Sequence, residues 1–232
     1  MLVTSPGRRR AAARRTRAIA ALALVVTLAI APAARAGGPP ILPGGNPVGS
    51  ALLGQWFDRY LTLPVAANPA VGNGNPCQRL AAGTVLGPIV QVGSPGGFTC
   101  TVRVGTPVFL LGFAAECDNR TPPIFEDEAS QLACAKGFLA GVQSTRYTID
   151  ASAPVELHAP AFATSTRQHH VTLPPDNIAG VAPGPATFTA YGWVGIVFLA
   201  PGRHTIRHDV ESDLFTGTSS YNVVVTPLRA AR

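Results

Sequence analysis

The sequence predicts a mainly β protein: an antiparallel β-sandwich, immunoglobulin-like or jelly-roll-like, with two short helices. Glycine (24) and proline (22) are abundant among the 232 residues, which is typical of many turns between short elements. The C-terminal 90 residues or so alternate apolar and polar side chains with a period of two. Strands at this spacing, with no βαβ alternation, favour a sandwich.

The first 36 residues have the organisation of a secretory signal peptide. They contain seven arginines and no acidic residue, and residues 18–31 form an uninterrupted apolar run. Pro32 breaks this run, and Ala34-Arg35-Ala36 supplies the small-x-small pattern of a cleavage site. We therefore expect cleavage after Ala36 and a mature, secreted protein with no membrane span. An uncleaved anchor and export by the twin-arginine route are the alternatives.

The basic character of the chain belongs to this leader. The whole sequence has a formal net charge of +6. Beyond residue 36, 11 basic residues face 12 acidic ones, a net charge of −1. A mature protein with this charge lacks the basic surface that attracts phosphate backbones, so we expect no nucleic-acid partner.

The first predicted element of the mature chain is a helix. Residues 37–49 are rich in Gly and Pro and form a flexible lead-in, so the single domain is expected over residues 50–228. Ser50 is the expected N-cap, and Pro64 ends the helix. The buried stripe has helical spacing, and its members are Leu52, Leu53, Trp56, Phe57, Tyr60 and Leu61.

The spacing of apolar residues changes twice in the middle of the chain. Residues 85–92 and 99–112 are rich in Val, Phe and Leu and are predicted to be strands, the second of them long and buried. A polar loop is expected over residues 116–123. A second helix is predicted from about residue 126 to 141, because acidic residues open it and apolar residues recur at helical spacing.

The C-terminal part is predicted to be all β. Short strands are expected near residues 145–149, 155–157 and 168–173, separated by turns. Three well-formed strands follow near residues 186–199, 203–210 and 219–226, and Pro201-Gly202 connects the first two of them.

Four cysteines lie in the exported part: Cys77, Cys100, Cys117 and Cys134. An even number of cysteines in a secreted chain indicates two disulfides. Zinc binding is the competing interpretation, but no C-x-x-C pair or suitably spaced histidine accompanies them. Of the three possible pairings, we predict Cys77–Cys100 with Cys117–Cys134, because sequential pairing suits a strand-rich region and a helix tied to its preceding loop.

Several short stretches occur in a suggestive order: residues 55–61, 68–69, 100–102, 116–117, 133–135 and 199–206. In this order they resemble a group of uncharacterised secreted bacterial proteins with an N-terminal aromatic helix, four cysteines and a C-terminal β-sandwich. The resemblance spans roughly residues 50–228. It implies the architecture and carries over no catalytic residue.

No enzyme motif stands out in the sequence. The G-x-S-x-G, P-loop and dinucleotide-binding patterns are absent. His204 and His208 are four residues apart on a predicted strand, about 13 Å at roughly 3.3 Å per residue, which is too far to chelate one ion. A histidine site across strands, for example His170 with His204, is the alternative to structural or surface histidines. The chain is therefore expected to be non-enzymatic rather than catalytic.

Acidic residues that cluster around the second predicted disulfide form a candidate calcium site. Carboxylates repel one another, and Ca²⁺ accepts irregular loops that offer several oxygens. A solvated helix N-terminus is the alternative interpretation. The candidate ligands are Glu116, Asp118, Glu126, Asp127 and Glu128.

The sequence thus predicts a secreted, non-enzymatic protein that binds an extracellular ligand or cell-envelope component. The alternative is a secreted hydrolase with a His/carboxylate site on its loops. Convergent histidines in a pocket would favour the hydrolase, and an apolar or aromatic patch would favour binding.

Overall fold

A computed structural model describes residues 37–71, 75–80, 83–87, 97–213 and 215–228. The predicted signal peptide lies outside the described residues, as do residues 88–92 of one predicted strand. The described protein is mainly β, with two helices and two mixed sheets. The elements are β1 (Ile41–Pro43), α1 (Pro47–Thr62), β2 (Val85–Leu86), β3 (Thr99–Arg103), β4 (Pro107–Asp118), α2 (Glu128–Phe138), β5 (Val142–Ile149), β6 (Val155–Glu156), β7 (Ala163–Ser165), β8 (His169–Leu173), β9 (Gly184–Phe198), β10 (Gly202–Ser212) and β11 (Thr216–Thr226).

The first sheet is built around β9. Its strand order is β1-β9-β4-β2, and β7 and β8 also pair with β9. β4 and β9 are antiparallel over most of their length, with an irregularity in register between Leu111 and Phe113. This irregularity falls at Gly112 and divides β4 into two halves, which matters for the pocket described below.

The second sheet has the order β3-β11-β10-β5-β6. β10 and β11 form a long antiparallel hairpin in register from the pair Gly202 and Val225 to the pair Glu211 and Thr216. This hairpin confirms strands predicted from the alternation of apolar and polar residues, and it places His204 and His208 on a strand rather than a helix.

The expectation of an antiparallel arrangement is met only in part, because two of the described strand pairs are parallel. β2 runs parallel to β4, and β3 runs parallel to β11. More than 100 residues separate β3 from β11, so no hairpin fixes their relative direction. A local hydrophobic pattern carries no information on the direction of such a distant partner.

Two hydrophobic clusters organise the fold. One joins apolar side chains of both sheets, among them Leu110, Trp193, Tyr147 and Tyr221. The other joins the buried face of α1 to the first sheet. Its largest members are Leu52, Leu53, Trp56, Phe57, Leu61, Phe109, Leu111 and Phe188.

The N-terminal boundaries differ from the prediction. The expected lead-in 37–49 contains β1, which pairs with β9, and the first residues of α1. The N-cap is Asn46 rather than Ser50, because the Asn46 side chain accepts hydrogen bonds from the backbone of Val48 and Gly49. Ser50 instead donates a hydrogen bond to the Ser165 carbonyl at 2.7 Å.

The boundaries of the middle elements also differ from the predicted ones. α2 covers Glu128–Phe138 rather than 126–141, and Asp127 caps it. The single strand expected over residues 99–112 is two strands, β3 and β4, separated by a turn in which Gly105 has a φ of 83°. β4 then continues through the residues predicted to begin a polar loop.

The structure contains two disulfides, Cys77–Cys100 and Cys117–Cys134, with Cα atoms 5.6 and 6.0 Å apart. This is the sequential pairing expected from the sequence. The first bond fastens the chain before β2 to β3, and the second fastens α2 to β4.

Removal of the second disulfide should destabilise the protein by about 3 kcal/mol. The bond joins residues 17 positions apart, and closing a loop of that length restricts the unfolded chain by about this free energy. Urea denaturation of the double variant Cys117→Ala/Cys134→Ala measures the effect. An unchanged midpoint would show that α2 is held on β4 by other contacts alone.

Candidate functional site

The candidate site is a pocket between α1 and the second half of β4. Its volume is about 270 Å³. One wall comes from aromatic side chains of α1, another from residues on both sides of the β4 irregularity, and Ala70 closes part of the rim. The residues that matter most for its chemistry are Trp56, Phe57, Tyr60, Ala114 and Glu116.

The aromatic wall follows from the spacing of apolar residues along α1. Trp56, Phe57 and Tyr60 lie on one helical face because residues three and four positions apart are neighbours on a helix. Trp56 and Phe57 are buried, as expected for the core face, whereas Tyr60 is partly exposed. The Tyr60 ring lies 6.1 Å from Trp56 and 5.7 Å from Phe57, centroid to centroid. The three rings therefore form one continuous wall.

Glu116 reaches the pocket because β4 continues past Gly112. Alternate residues of a strand point to opposite faces, so Ala114 and Glu116 share the face toward α1. Phe113 and Ala115 pack with the cluster on the other face. The sequence-based prediction of a loop beginning at Glu116 was wrong, and this is why the pocket was missed.

The carboxyl group of Glu116 is the unusual feature of the pocket. Its Oε2 atom is enclosed, and no described residue gives it a hydrogen bond. Burial raises the pKa of the Glu116 carboxyl to about 8, and the charge of Asp118 contributes to this increase. The group is therefore mostly protonated at pH 7.

The neighbouring titratable groups reflect the same environment. Burial raises the pKa of the Tyr60 hydroxyl above its ordinary value, and the charge of Glu116 adds to the increase. Asp118 is buried, and its Oδ1 accepts hydrogen bonds from the backbone N–H groups of Arg120 and Thr121 at 2.5 and 2.6 Å. Asp118 is thus held in place by the turn that follows β4.

No basic side chain neutralises this pair of acids among the ion pairs of the described residues. Arg120 is directed away, because its guanidinium group donates hydrogen bonds to the carbonyls of Ala182 and Pro185. Lys136 lies over the ring of Tyr191, 5.3 Å from its centroid. Neither Arg120 nor Lys136 therefore serves as a counter-ion for Glu116 and Asp118.

The five acidic residues considered as calcium ligands have separate roles. Glu116 and Asp118 are on β4, Asp127 caps α2, and Glu128 accepts a hydrogen bond from the Gln168 backbone at 3.0 Å. The side chain of Glu126 is exposed. Over the described ranges, no group of three or more His, Cys, Asp or Glu side chains is arranged to hold a metal ion. The structure thus adds no support to the calcium prediction.

The histidines occupy separate places. His169 pairs with Asp58 at 3.1 Å and joins β8 to α1, and His204 pairs with Asp150 at 2.9 Å. His158 lies edge-on against Trp193, with 4.4 Å between the ring centroids. His208 is buried, stacked on Tyr147, with its Nε2 atom 2.8 Å from the Thr145 hydroxyl. His170 and His204, the cross-strand pair considered above, lie on different sheets.

Comparisons with known proteins give little further information. No family model and no curated protein matches this chain. Among solved structures, it is similar to a chain in "Structure of PbICP-C in complex with falcipain-2", with 10% identity and a TM-score of 0.23 over 62% of this chain and 98% of that one. At that TM-score the similarity carries no argument, so the function has to be inferred from the pocket.

Proposed function

We propose that this chain is a secreted, non-enzymatic protein that binds an extracellular ligand or cell-envelope component, and that the pocket between α1 and β4 receives the ligand. The observation that carries the proposal is a pocket with an aromatic wall and one enclosed carboxyl oxygen that has no hydrogen-bond partner among the described residues. Ligand sites in proteins are commonly concave, mostly apolar and equipped with a few polar groups. A volume of about 270 Å³ suits a small ligand or the end of a larger one.

Secretion is supported by the two disulfides, because such bonds persist mainly in oxidising compartments. No helix in the described part of the chain has both the length and the hydropathy needed to cross a membrane. We propose that the mature protein begins at Gly37, and that its two sheets form an immunoglobulin-like or jelly-roll-like sandwich around their shared cluster.

Binding explains the arrangement better than hydrolysis does. A hydrolase of the kind considered above would need histidines and carboxylates to converge on the loops. Four of the five histidines lie on strands, in β8 and β10, and His158 lies in the loop after β6, against Trp193. The hydroxyl–imidazole pair of Thr145 and His208 is buried. The aromatic pocket contains a carboxyl group but no histidine or serine.

Filling the pocket should weaken ligand binding. Ala114 lines the pocket, so Ala114→Leu should reduce the affinity of any fragment bound there by at least about tenfold, the equivalent of 1.4 kcal/mol. Saturation-transfer NMR with a fragment library of cationic, neutral and anionic members measures this. Ala129 is exposed on α2, and Ala129→Leu is the matched control.

The control should keep every hit of the wild-type protein, and a thermal melt checks that both variants fold. If no fragment binds the wild type, or if all hits survive Ala114→Leu, the pocket is not the binding site and the proposal is wrong.

A further inference from the structure

We infer that the pocket selects a small organic cation, such as an ammonium group, held between the aromatic wall of α1 and the carboxyl group of Glu116. This inference rests on the proposed function, because it names the ligand class for the same pocket. It follows from three features of the site: its uncompensated acids, its aromatic side chains and its shortage of oxygen ligands.

The first feature is the charge. Asp118 repels the ionised form of Glu116, and neither residue takes part in an ion pair within the described residues. A buried charge is stable only when it is paired or hydrogen-bonded. Asp118 has its two backbone N–H donors, whereas Oε2 of Glu116 has no partner from the described protein. A cation beside Glu116 would supply that partner and would gain from Asp118 as well.

The other two features, the aromatic side chains and the shortage of oxygen ligands, decide between an organic cation and a metal ion. Ca²⁺ requires about six to eight oxygen ligands, and the described residues bring no such group together. Trp56, Phe57 and Tyr60 line the same pocket and offer no set of hard ligands. Aromatic rings attract ammonium groups through their quadrupoles, so this wall suits an organic cation.

A neutral ligand is the competing occupant. The protonated Glu116 carboxyl could donate one hydrogen bond to a carbonyl or hydroxyl oxygen. Such a ligand would gain nothing from the negative charge of Asp118 and little from the ring quadrupoles. A cation gains from the acids and the rings together, and this combination favours it.

Choline and its uncharged isostere 3,3-dimethylbutan-1-ol provide the test, because they match in shape and differ in charge. At pH 9, where Glu116 is ionised, we expect choline to bind at least about tenfold more tightly than the alcohol to the wild-type protein. The anionic isostere 3,3-dimethylbutanoate should bind more weakly than either. Isothermal titration calorimetry measures the three dissociation constants.

Glu116→Gln should abolish the preference for choline without preventing binding of the alcohol. Glu126 is exposed and lies outside the residues lining the pocket, so Glu126→Gln should bind all three probes as the wild type does. Choline affinity should also rise about tenfold or more from pH 6 to pH 8.5, because only the ionised fraction of Glu116 is competent. Affinity for the alcohol should not rise.

Two results would overturn the inference. If the alcohol binds as tightly as choline, or if Glu116→Gln retains the preference for choline, the pocket is not a cation receptor. The proposed function would survive either result as long as a probe still depends on the pocket. If no fragment or probe depends on the pocket, both the proposed function and the inference fail.

Discussion

Replacing Glu116 with glutamine is expected to remove a pH-dependent loss of stability from the protein. The folded protein holds the pKa of the Glu116 carboxyl at about 8, against an ordinary value of 4.5. Between these values the folded state binds a proton that the unfolded state has lost. The free energy of unfolding therefore falls as the pH rises through this window.

The expected loss is large. Each pKa unit is worth about 1.4 kcal/mol, so the full shift corresponds to about 5 kcal/mol. The carboxyl group is half titrated at each end of the window, so the loss between pH 4.5 and pH 8 is about 4 kcal/mol. Glu116→Gln cannot titrate. Its stability relative to the wild type should therefore increase by about that amount across the window. Enclosing the glutamine amide costs the same free energy at every pH, so this cost cancels when the stability difference at pH 4.5 is compared with that at pH 8.5. Urea denaturation at pH 4.5, 6.5 and 8.5 measures the change.

Two other titratable side chains, Asp118 and Tyr60, interact with the charge of Glu116. Asp118 repels the ionised form of Glu116, and Tyr60 is the other titratable side chain that senses its charge. Glu126→Gln, at an exposed position of the following loop, should leave the pH profile as it is in the wild type. If the free energies of unfolding of the wild type and of Glu116→Gln change with pH in parallel, the Glu116 carboxyl group is solvated and the expectation is wrong.

Gly49→Ala should destabilise the protein by about 3 kcal/mol or more, because α1 has no room for a methyl group at this position. A Cβ atom on Gly49 would lie 1.9 Å from the Gly44 carbonyl oxygen. Gly44 cannot easily retreat, since its backbone N–H donates to the Val194 carbonyl at 2.9 Å. Overpacking against a fixed backbone costs at least as much as overpacking in a core.

The matched control is Gly137→Ala in α2. A Cβ atom there would meet nothing within 4 Å, and alanine is the better helix former by up to about 1 kcal/mol. The two substitutions should therefore change the denaturation midpoint in opposite directions. Equal effects of the two variants would mean that α1 does not approach the chain at Gly44 as closely as described.

The elements that sequence analysis predicted well are those set by local patterns. The face of α1 follows from the spacing of Leu52, Trp56 and Tyr60, and the β10–β11 hairpin follows from alternation around Pro201-Gly202. Sequential disulfide pairing also followed from local considerations. The start of α1 was misplaced because Asn46 and Ser50 are both good caps, and only the fold shows which of them receives the backbone N–H groups.

The features that the sequence analysis missed depend on distant partners. The parallel pairing of β3 with β11 joins strands far apart in the chain, so no local signal specifies it. Glu116 was interpreted as a loop residue because it opens the polar stretch of residues 116–123. The useful signal was its position two residues after Ala114 in a continuing period-two pattern, which places both side chains on one face. A charged residue on the buried face of a strand indicates function more strongly than a cluster of exposed acids.

Cation binding in this pocket depends on one carboxyl group, so the titration of that group with and without ligand is the decisive measurement. Carbon-13 NMR of protein labelled at the glutamate carboxyl carbons follows each group with pH, and Glu116→Gln assigns the resonance of Glu116. We expect Glu116 to titrate at about pH 8 without ligand, and saturating choline to move this titration to lower pH. Titration near the ordinary value of 4.5 without ligand, or a curve that choline does not move, would show that Glu116 is not the cation receptor.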